Sequence, residues 1–178
     1  MSTVANRTTW GVIGHDSTLA TLAHHISARR VKHAYLFTGA RAIGKHTLAV
    51  AFARAMLCTE PNSPCSEANL CRSCMLISTG KHPDVRMLAP VTTGKIVHRA
   101  KIGIDPIREL IRQFSLRPLE AQRRVAIITD FESAGRAAAD ALLKTLEEPP
   151  GNGVIVLTAE SGADLPSTIV SRCARLSL

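Results

Sequence analysis

Aromatic residues are scarce in this chain of 178 residues, where Phe, Trp and Tyr together make up 3% of the sequence. The core must therefore be built from Ala, Leu, Ile and Val. This favours a layered α/β architecture, because buried parallel strands are made of aliphatic runs. The scarcity also weighs against a protein that stacks single-stranded nucleic-acid bases on aromatic side chains. The length suits one domain with a substantial core.

Long apolar runs are also lacking. No segment approaches the roughly 18 consecutive apolar residues that would be needed to span a membrane. Residues 1–9 are polar and contain no apolar signal core. We therefore expect a cytoplasmic protein with no membrane partner.

The chain has fewer acidic than basic residues. The chain has 14 Asp and Glu against 22 Lys and Arg, which gives a formal net charge of +8. Such a balance favours association with nucleic acid or with acidic proteins. A solvated basic surface explains the same numbers equally well.

A glycine-rich segment, Gly-Ala-Arg-Ala-Ile-Gly-Lys-His at 39–46, fits the phosphate-binding pattern G-x-x-x-x-G-K. It follows an apolar run at 34–38 that we predict to be a strand, and it opens a predicted helix over 45–57. Gly39 and Gly44 permit backbone angles that direct N–H groups towards phosphates, and the helix N-terminus adds positive potential. The pattern predicts nucleotide or phosphate binding, with a vestigial loop as the alternative.

The residues at the end of this loop decide what it can do with a nucleotide. Lys45 supplies the positive charge for the phosphates. The next position normally carries a Ser or Thr whose hydroxyl binds Mg²⁺, but this chain has His46, a poor ligand for a hard cation. We therefore expect a loop that can hold ATP but ligates Mg²⁺ poorly.

A second feature of nucleotide chemistry is Asp130, at the end of a predicted buried strand over 124–130. An Asp in this place holds the magnesium shell in nucleotide-hydrolysing folds. A hydrolysing enzyme of this kind would place Glu next, to activate water, whereas here Phe131 follows and Glu132 comes one residue late. Because successive strand residues point to opposite sides, Glu132 is not an automatic substitute. Two interpretations of Asp130 fit the sequence equally well: a ligand of the metal, or a residue that simply ends the strand.

Four of the five cysteines lie within residues 58–74. The spacing Cys58-x6-Cys65-x5-Cys71-x2-Cys74 ends in the two-residue gap typical of tetrahedral zinc sites. Four ligands leave no open position, so the pattern predicts a structural Zn²⁺ that stabilises an insert at about 58–78. Cys173 lies far away in sequence and is expected to be a buried thiol.

The remaining elements alternate along the chain. Further strands are predicted at 84–88, 154–158 and 174–178, a mobile loop at 90–102, and helices from residue 16, from residue 105, at 137–147 and at 165–172. Strands alternating with helices imply a parallel sheet with right-handed crossovers.

Several of these segments resemble the N-terminal AAA+ module of bacterial clamp-loader subunits, and within that family the delta-prime branch of DNA polymerase III. The segments of resemblance are Ile-Gly-His at 13–15, His-Ala-Tyr-Leu-Phe-Thr-Gly at 33–39, the four cysteines, His-Pro-Asp at 82–84, Ile-Asp with Ile-Arg-Glu-Leu at 104–110, Leu-Leu-Lys-Thr-Leu-Glu-Glu-Pro-Pro at 142–150, and Ser-Arg-Cys at 171–173. The last two are highly specific to the family.

The resemblance implies a RecA-like AAA+ fold, with a parallel sheet sandwiched by helices and a small zinc insert bound by four cysteines, over residues 1–178. The family continues into a lid domain and a helical collar, which are absent from this sequence. The resemblance also implies nucleotide contacts, with Thr158 at the position that senses the γ-phosphate. The expected cofactor-binding set is Gly39, Gly44, Lys45, His46, Thr47, Asp130 and Thr158.

The same resemblance implies a place in a pentameric assembly that opens a sliding clamp and closes it on primed DNA. Its partners would be the gamma/tau and delta subunits, and through the assembly the clamp and the DNA. In such loaders the Arg of Ser-Arg-Cys reaches the ATP site of the adjacent gamma/tau subunit, which makes Arg172 the expected arginine finger.

His46 and Phe131 stand where the hydrolysing gamma/tau subunits carry a Ser or Thr and a Glu. We therefore expect a non-motor, delta-prime-like component of the DNA polymerase III holoenzyme, with weak or no ATPase activity of its own. One alternative is a gamma/tau-like ATPase in which another group replaces the missing ones. The other is a zinc-stabilised nucleic-acid-binding module.

Overall fold

The computed structural model describes residues 10–60, 65–91 and 101–178. The strands are β1 (Ala34–Thr38), β2 (Val85–Leu88), β3 (Arg124–Ile128), β4 (Gly153–Ala159) and β5 (Ala174–Ser177). The helices are α1 (Asp16–Ser27), α2 (Lys45–Leu57), α3 (Arg72–Ser78), α4 (Ile104–Phe114), α5 (Arg136–Glu147) and α6 (Ser167–Val170).

The five strands form one sheet in the order β2-β3-β4-β1-β5, and every neighbouring pair is parallel. This confirms the predicted parallel sheet. β1 lies between β4 and β5, and all five of its residues are buried. Because the strands are parallel, the segments that follow β1, β3 and β4 all emerge at the same edge of the sheet.

The core forms two layers, one on each face of the sheet, because successive strand residues point to opposite sides. On one face Tyr35 and Phe37 pack with residues of α1, α2 and α3, among them Phe52. On the other face Leu36 and its neighbours pack with α4, α5 and α6. The helices therefore sandwich the sheet, as predicted.

The helix boundaries follow local chemistry. Asp105 and Pro106 lie in the first turn of α4, where an acidic side chain and a residue without an N–H group are favourable. Pro149 and Pro150 follow α5 and prevent its continuation. Within the described ranges, none of the helices has the length and apolar character that crossing a lipid bilayer requires.

The largest differences from the predictions lie at the end of β3 and in the cysteine-rich insert. β3 ends at Ile128, two residues before the predicted end, because Asp130 adopts a left-handed conformation with φ 50° and ψ 50° that turns the chain into a 3₁₀ turn at Phe131–Ser133. Helix α3, inside the cysteine-rich insert, was not predicted from the sequence. Most of the predicted mobile loop at 90–102 lies outside the described residues.

Gly153, the first residue of β4, tests how tightly α4 packs on the sheet. A Cβ atom at this position would lie 2.4 Å from Cε1 of the buried Phe114 ring. We predict that Gly153→Ala lowers the free energy of unfolding by about 1–3 kcal/mol, because the ring must move within a packed core. Urea denaturation monitored by circular dichroism measures the change.

Gly151→Ala is the matched control, since a Cβ there would meet no atom within 4 Å. Its stability should stay within about 0.5 kcal/mol of the parent protein. Equal stability of the two variants would contradict the packing described for α4.

Candidate functional site

The glycine-rich loop begins where β1 ends, and its first residue is fixed by both neighbouring strands. The amide of Gly39 donates to the carbonyl oxygens of Ala159 at 3.3 Å and Glu160 at 3.2 Å, just after β4. On the other side, a Cβ at Gly39 would lie 3.0 Å from the carbonyl oxygen of Leu178. The close approach of the chain that follows β5 therefore favours glycine here.

The loop curves back on itself and holds the lysine of the motif. Ala42 and Gly44 have positive φ values of 60° and 103°. Lys45, at the start of α2, is 6% exposed, and its Nζ donates to the carbonyl oxygens of Gly39 at 2.7 Å and Ala40 at 2.9 Å. A positive charge is thus held against the loop, an arrangement that fits the binding of phosphate.

The next two residues do not supply the usual magnesium ligand. His46 and Thr47 are both exposed in the first turn of α2. Side chains of consecutive helix residues point about 100° apart, so the hydroxyl of Thr47 does not take the direction of the side chain at 46. The loop therefore fits phosphate, but it lacks a hydroxyl at the position where Mg²⁺ would be bound.

One residue beside the loop was missed by the sequence reasoning. His15, just before α1, has a positive φ of 60°, and its Nε2 donates to the carbonyl oxygen of Ile43 at 3.0 Å. Gly14 also has a positive φ, 79°. This pair of left-handed residues turns the segment before α1 onto the loop, and Gly followed by His was the only signal of it in the sequence.

The structure brings Asp130 and Thr158 together next to the loop. The amide of the exposed Asp130 donates to Oγ1 of Thr158 at 3.0 Å. Thr158 is 1% exposed and pairs with Phe37 in the register of β4 with β1. Both residues therefore lie at the edge of the sheet from which the glycine-rich loop emerges.

The residues after Asp130 are not those expected of a water-activating site. Phe131 is buried in the core at 1% exposure. Burial raises the pKa of Glu132, and the nearby charges of Asp130 and Glu160 raise it further. Within the described residues, Glu132 Oε2 is buried without a hydrogen-bond partner. Glu132 is thus half-buried and lies one residue beyond the position where a water-activating Glu was expected, which Phe131 occupies.

Arg172 lies between α6 and β5, and it is distant in sequence from the glycine-rich loop. Its Nη2 forms an ion pair with Glu147 Oε1 at 2.7 Å, and its Nη1 donates to the carbonyl oxygen of Thr168 at 2.9 Å. The side chain is 34% exposed. Glu147 belongs to the segment of resemblance at 142–150, but the sequence analysis assigned it no role of its own.

The four clustered cysteines converge as their spacing predicted. The Sγ atoms of Cys58, Cys65, Cys71 and Cys74 all lie within 4.8 Å of one another, with Cys58 at 3.5 Å from Cys65 and 4.0 Å from Cys71. In a tetrahedral zinc–thiolate site with Zn–S bonds of about 2.3 Å, sulfur atoms lie about 3.8 Å apart. The donor set therefore fits one tetrahedral Zn²⁺. Cys173 is separate, and burial raises its pKa to about 12.

Hydrogen bonds around the cluster favour the thiolate of Cys71, whereas burial raises the pKa of Cys74. The amide of Cys71 donates to Sγ of Cys65, and the amide of Cys74 donates to Sγ of Cys71, both at 3.4 Å. Burial alone would raise the pKa of Cys71, but hydrogen bonds from Cys74 and Thr59 lower it to about 6. The buried Arg54 donates to the carbonyl oxygen of Cys65 at 2.7 Å and also forms an ion pair with Glu67, which balances its charge beside the cluster.

A chain of buried hydrogen bonds joins this insert to the sheet. His82 Nδ1 accepts from the amide of Asp84 at 3.1 Å, so the ring proton is on Nε2, which donates to Ser73 Oγ at 3.2 Å. Ser73 Oγ in turn donates to the carbonyl oxygen of Leu57 at 3.0 Å. The carboxylate of Asp84 accepts from three amides of the segment 119–121 at 2.7–2.8 Å. Sequence reasoning did not find this network.

Comparison with known proteins gives a family. Residues 14–178 match the family described as "DNA polymerase III, delta subunit". This stretch is nearly the whole chain. The chain belongs to the DNA polymerase III delta-subunit family.

Two curated relatives come from Bacillus subtilis (strain 168). DNA polymerase III subunit delta' is 35% identical over 156 residues, which cover 87% of this chain and 44% of that protein. DNA polymerase III subunit tau is 32% identical over 166 residues, 92% of this chain and 28% of that protein. The chain therefore spans less than half the length of these relatives. Their names confirm the family expected from the motifs, but they do not decide between the two types of subunit.

Solved structures agree with this assignment. A gamma subunit-related protein of DNA polymerase III from Thermotoga maritima superimposes with a TM-score of 0.66 at 27% identity, over 90% of this chain and 45% of that one. The RuvB Holliday junction branch migration motor of Thermotoga maritima gives a TM-score of 0.55 at 16% identity, over 93% of this chain and 45% of that one, and shows a shared fold. The predicted RecA-like AAA+ fold is confirmed.

The cysteine cluster generates a prediction for metal content. We predict that the protein purified without chelator contains one Zn²⁺ per chain, and that Co²⁺ in its place gives the absorption of a tetrahedral thiolate site. Cys65→Ser should lower the metal content and loosen the insert while the sheet remains folded. Metal analysis and the Co²⁺ spectrum measure the effect.

Cys173→Ser is the matched control, because this thiol is distant in sequence from the cluster and lies outside the group of four. Its metal content and Co²⁺ spectrum should equal those of the parent. Purified protein that contains no zinc, or an unchanged spectrum for Cys65→Ser, would reject the site.

Proposed function

We propose that this chain is the AAA+ module of a non-motor, delta-prime-like clamp-loader subunit. It supplies Arg172 to the ATP site of a neighbouring gamma/tau subunit while the sliding clamp is loaded on primed DNA. The observation that carries the proposal is the placement of the Arg172 guanidinium, which is partly exposed and held by an ion pair and a carbonyl oxygen. The relatives named DNA polymerase III subunit delta' and subunit tau support a place in this assembly.

The chemistry of such a finger is electrostatic. A guanidinium placed at a neighbouring γ-phosphate stabilises the charge that develops there during transfer, and its planar N–H groups suit phosphate oxygens. Lys would be a poor replacement, because its ammonium is a point charge on a flexible stem. The proposed role therefore needs an Arg at 172 that faces outward from its own subunit.

The chain's own nucleotide site is proposed to bind without efficient hydrolysis. Gly39, Gly44 and Lys45 would hold the phosphates, and Thr158 with Asp130 would lie beside them. At 46 the loop has no hydroxyl for Mg²⁺, and Phe131 replaces the expected catalytic Glu. Nucleotide would then serve assembly rather than turnover, and Zn²⁺ would be structural. The proposed partners are the gamma/tau and delta subunits, with clamp and DNA contacted through the complex.

Removal of the finger gives the first functional prediction. In a loader assembled with the full-length protein, Arg172→Ala should lower ATP turnover at the adjoining gamma/tau site by about 10³-fold or more, the usual effect of losing an arginine finger. Arg172→Lys should be nearly as defective. Steady-state ATPase assays with clamp and primed DNA measure the loss.

Arg175→Ala, on β5, provides the control, because Arg175 is also an exposed arginine but lies outside the Ser-Arg-Cys motif. Its assembled loader should retain parental turnover. Unchanged turnover with Arg172→Ala, in a loader shown to be fully assembled, would refute the finger.

Nucleotide binding gives a further prediction. ATP should bind to this chain with an affinity that changes less than about threefold on addition of Mg²⁺, because His46 offers no suitable oxygen ligand. His46→Thr should make Mg²⁺ strengthen binding, and Lys45→Ala should abolish binding with or without the metal. Titration calorimetry with and without Mg²⁺ distinguishes these cases.

The gamma/tau-like ATPase is the second candidate, because the relatives named tau match over more than 90% of this chain. It requires steady ATP turnover by the full-length protein alone. Turnover that depends on Mg²⁺ and is lost in Lys45→Ala would favour this reading over the non-motor proposal.

A further inference from the structure

The orientation of Arg172 depends on few contacts. Nη1 donates to the carbonyl oxygen of Thr168 at 2.9 Å and lies 3.4 Å from Ser171 Oγ. Nη2 is paired with Glu147. Within the described residues Nε donates to no acceptor, so the five N–H donors of the guanidinium are only partly used. The remaining donors are available to an anion approaching from outside.

Glu147 is held more rigidly than its exposure suggests. It is the last residue of α5, and the preceding Thr145 and Leu146 are buried at 7% and 1% exposure. Pro149 and Pro150 prevent the helix from continuing, so the end of α5 has a fixed place. Glu147 thus offers its carboxylate from a secondary-structure element anchored in the core.

The backbone of Arg172 is fixed in a comparable way. Its amide donates to the carbonyl oxygen of Ile169 at 3.1 Å, and Ile169 is a fully buried residue of α6. The next residues enter β5, which pairs with β1. Only the long side chain of Arg172 is then free to move, and the carboxylate of Glu147 is the charged group that restricts it.

The exposure of the pair indicates what it does. The side chains of Arg172 and Glu147 are 34% and 50% exposed. Ion pairs with this much solvent contact contribute little to folding stability. They can still select one orientation of a side chain among several rotamers, and a site loses activity in proportion to the fraction of molecules in the wrong orientation.

We propose that Glu147 is a positioning residue for the finger: it holds the Arg172 guanidinium so that its free N–H groups face the nucleotide of the adjacent subunit. This inference rests on the proposed function of Arg172. The step assigned to Glu147 is orientation alone, with no contact to the nucleotide.

The experiment uses loaders assembled with the full-length protein carrying Glu147→Ala, Glu147→Asp, Arg172→Ala or both Glu147→Ala and Arg172→Ala. Glu148→Ala is the matched control, because Glu148 is the adjacent exposed acid and takes part in no ion pair within the described residues. Thermal unfolding and size-exclusion chromatography verify folding and assembly, and ATPase assays give kcat and KM separately.

We expect Glu147→Ala to lower kcat about 3- to 10-fold with KM unchanged, since nucleotide binding in the partner does not need the finger to be oriented. Glu147→Asp should recover part of the loss, and Glu148→Ala should match the parent. The double variant should be no slower than Arg172→Ala alone, because Glu147 acts only through Arg172.

The outcomes separate the two claims. If Arg172→Ala is defective while Glu147→Ala equals Glu148→Ala, the positioning role is wrong and the finger stands. Faster turnover in Glu147→Ala would also overturn it, because the ion pair would then restrain the finger. If Arg172→Ala is itself silent, the proposed function fails, and the inference fails with it.

Discussion

The site depends on the burial of β1 between β4 and β5. All five residues of β1 are buried, and parallel pairing on both sides leaves this strand no freedom to shift. The end of β4 and the next residue accept hydrogen bonds from the amide of Gly39, and Leu178 after β5 lies close enough to crowd a side chain at 39. The start of the glycine-rich loop is therefore set by the sheet.

At this edge of the sheet, the chain has some of the residues expected of a nucleotide site and lacks others. Lys45 is held against the loop, and Thr158 accepts the amide of Asp130 beside it. His46 in place of a hydroxyl residue and Phe131 in place of Glu are differences of side chain alone. These two positions are the basis of the proposal that the site binds nucleotide without efficient hydrolysis. Arg172 contacts other elements, α5 and α6, so its proposed role does not depend on positions 46 and 131.

The sequence predicted the helices and strands well where the hydrophobic pattern and the residues that end an element agree. The limits of β1 and α2 were correct, because an aliphatic run followed by glycine and then a lysine-led helix has few alternative structures. The four cysteines were brought together as their spacing required. These predictions rest on local signals that the sequence contains in full.

Other features depend on contacts between distant segments, which periodicity does not encode. The ion pair of Glu147 with Arg172 joins residues 25 positions apart on different elements. The hydrogen bond from His15 to Ile43 and the network of Ser73, His82 and Asp84 are of the same kind. The early end of β3 follows from the left-handed conformation of Asp130. An Asp adopts this conformation more readily than most residues, but its presence in a sequence does not predict it.

The central claim is that this chain completes a neighbour's ATP site more than its own. The most direct measurement is a structure of the assembled loader, determined with a non-hydrolysable ATP analogue and with this subunit at full length. The account predicts the Arg172 guanidinium within hydrogen-bond distance, about 3 Å, of the γ-phosphate in the adjacent subunit. A guanidinium turned away from every bound triphosphate would contradict it.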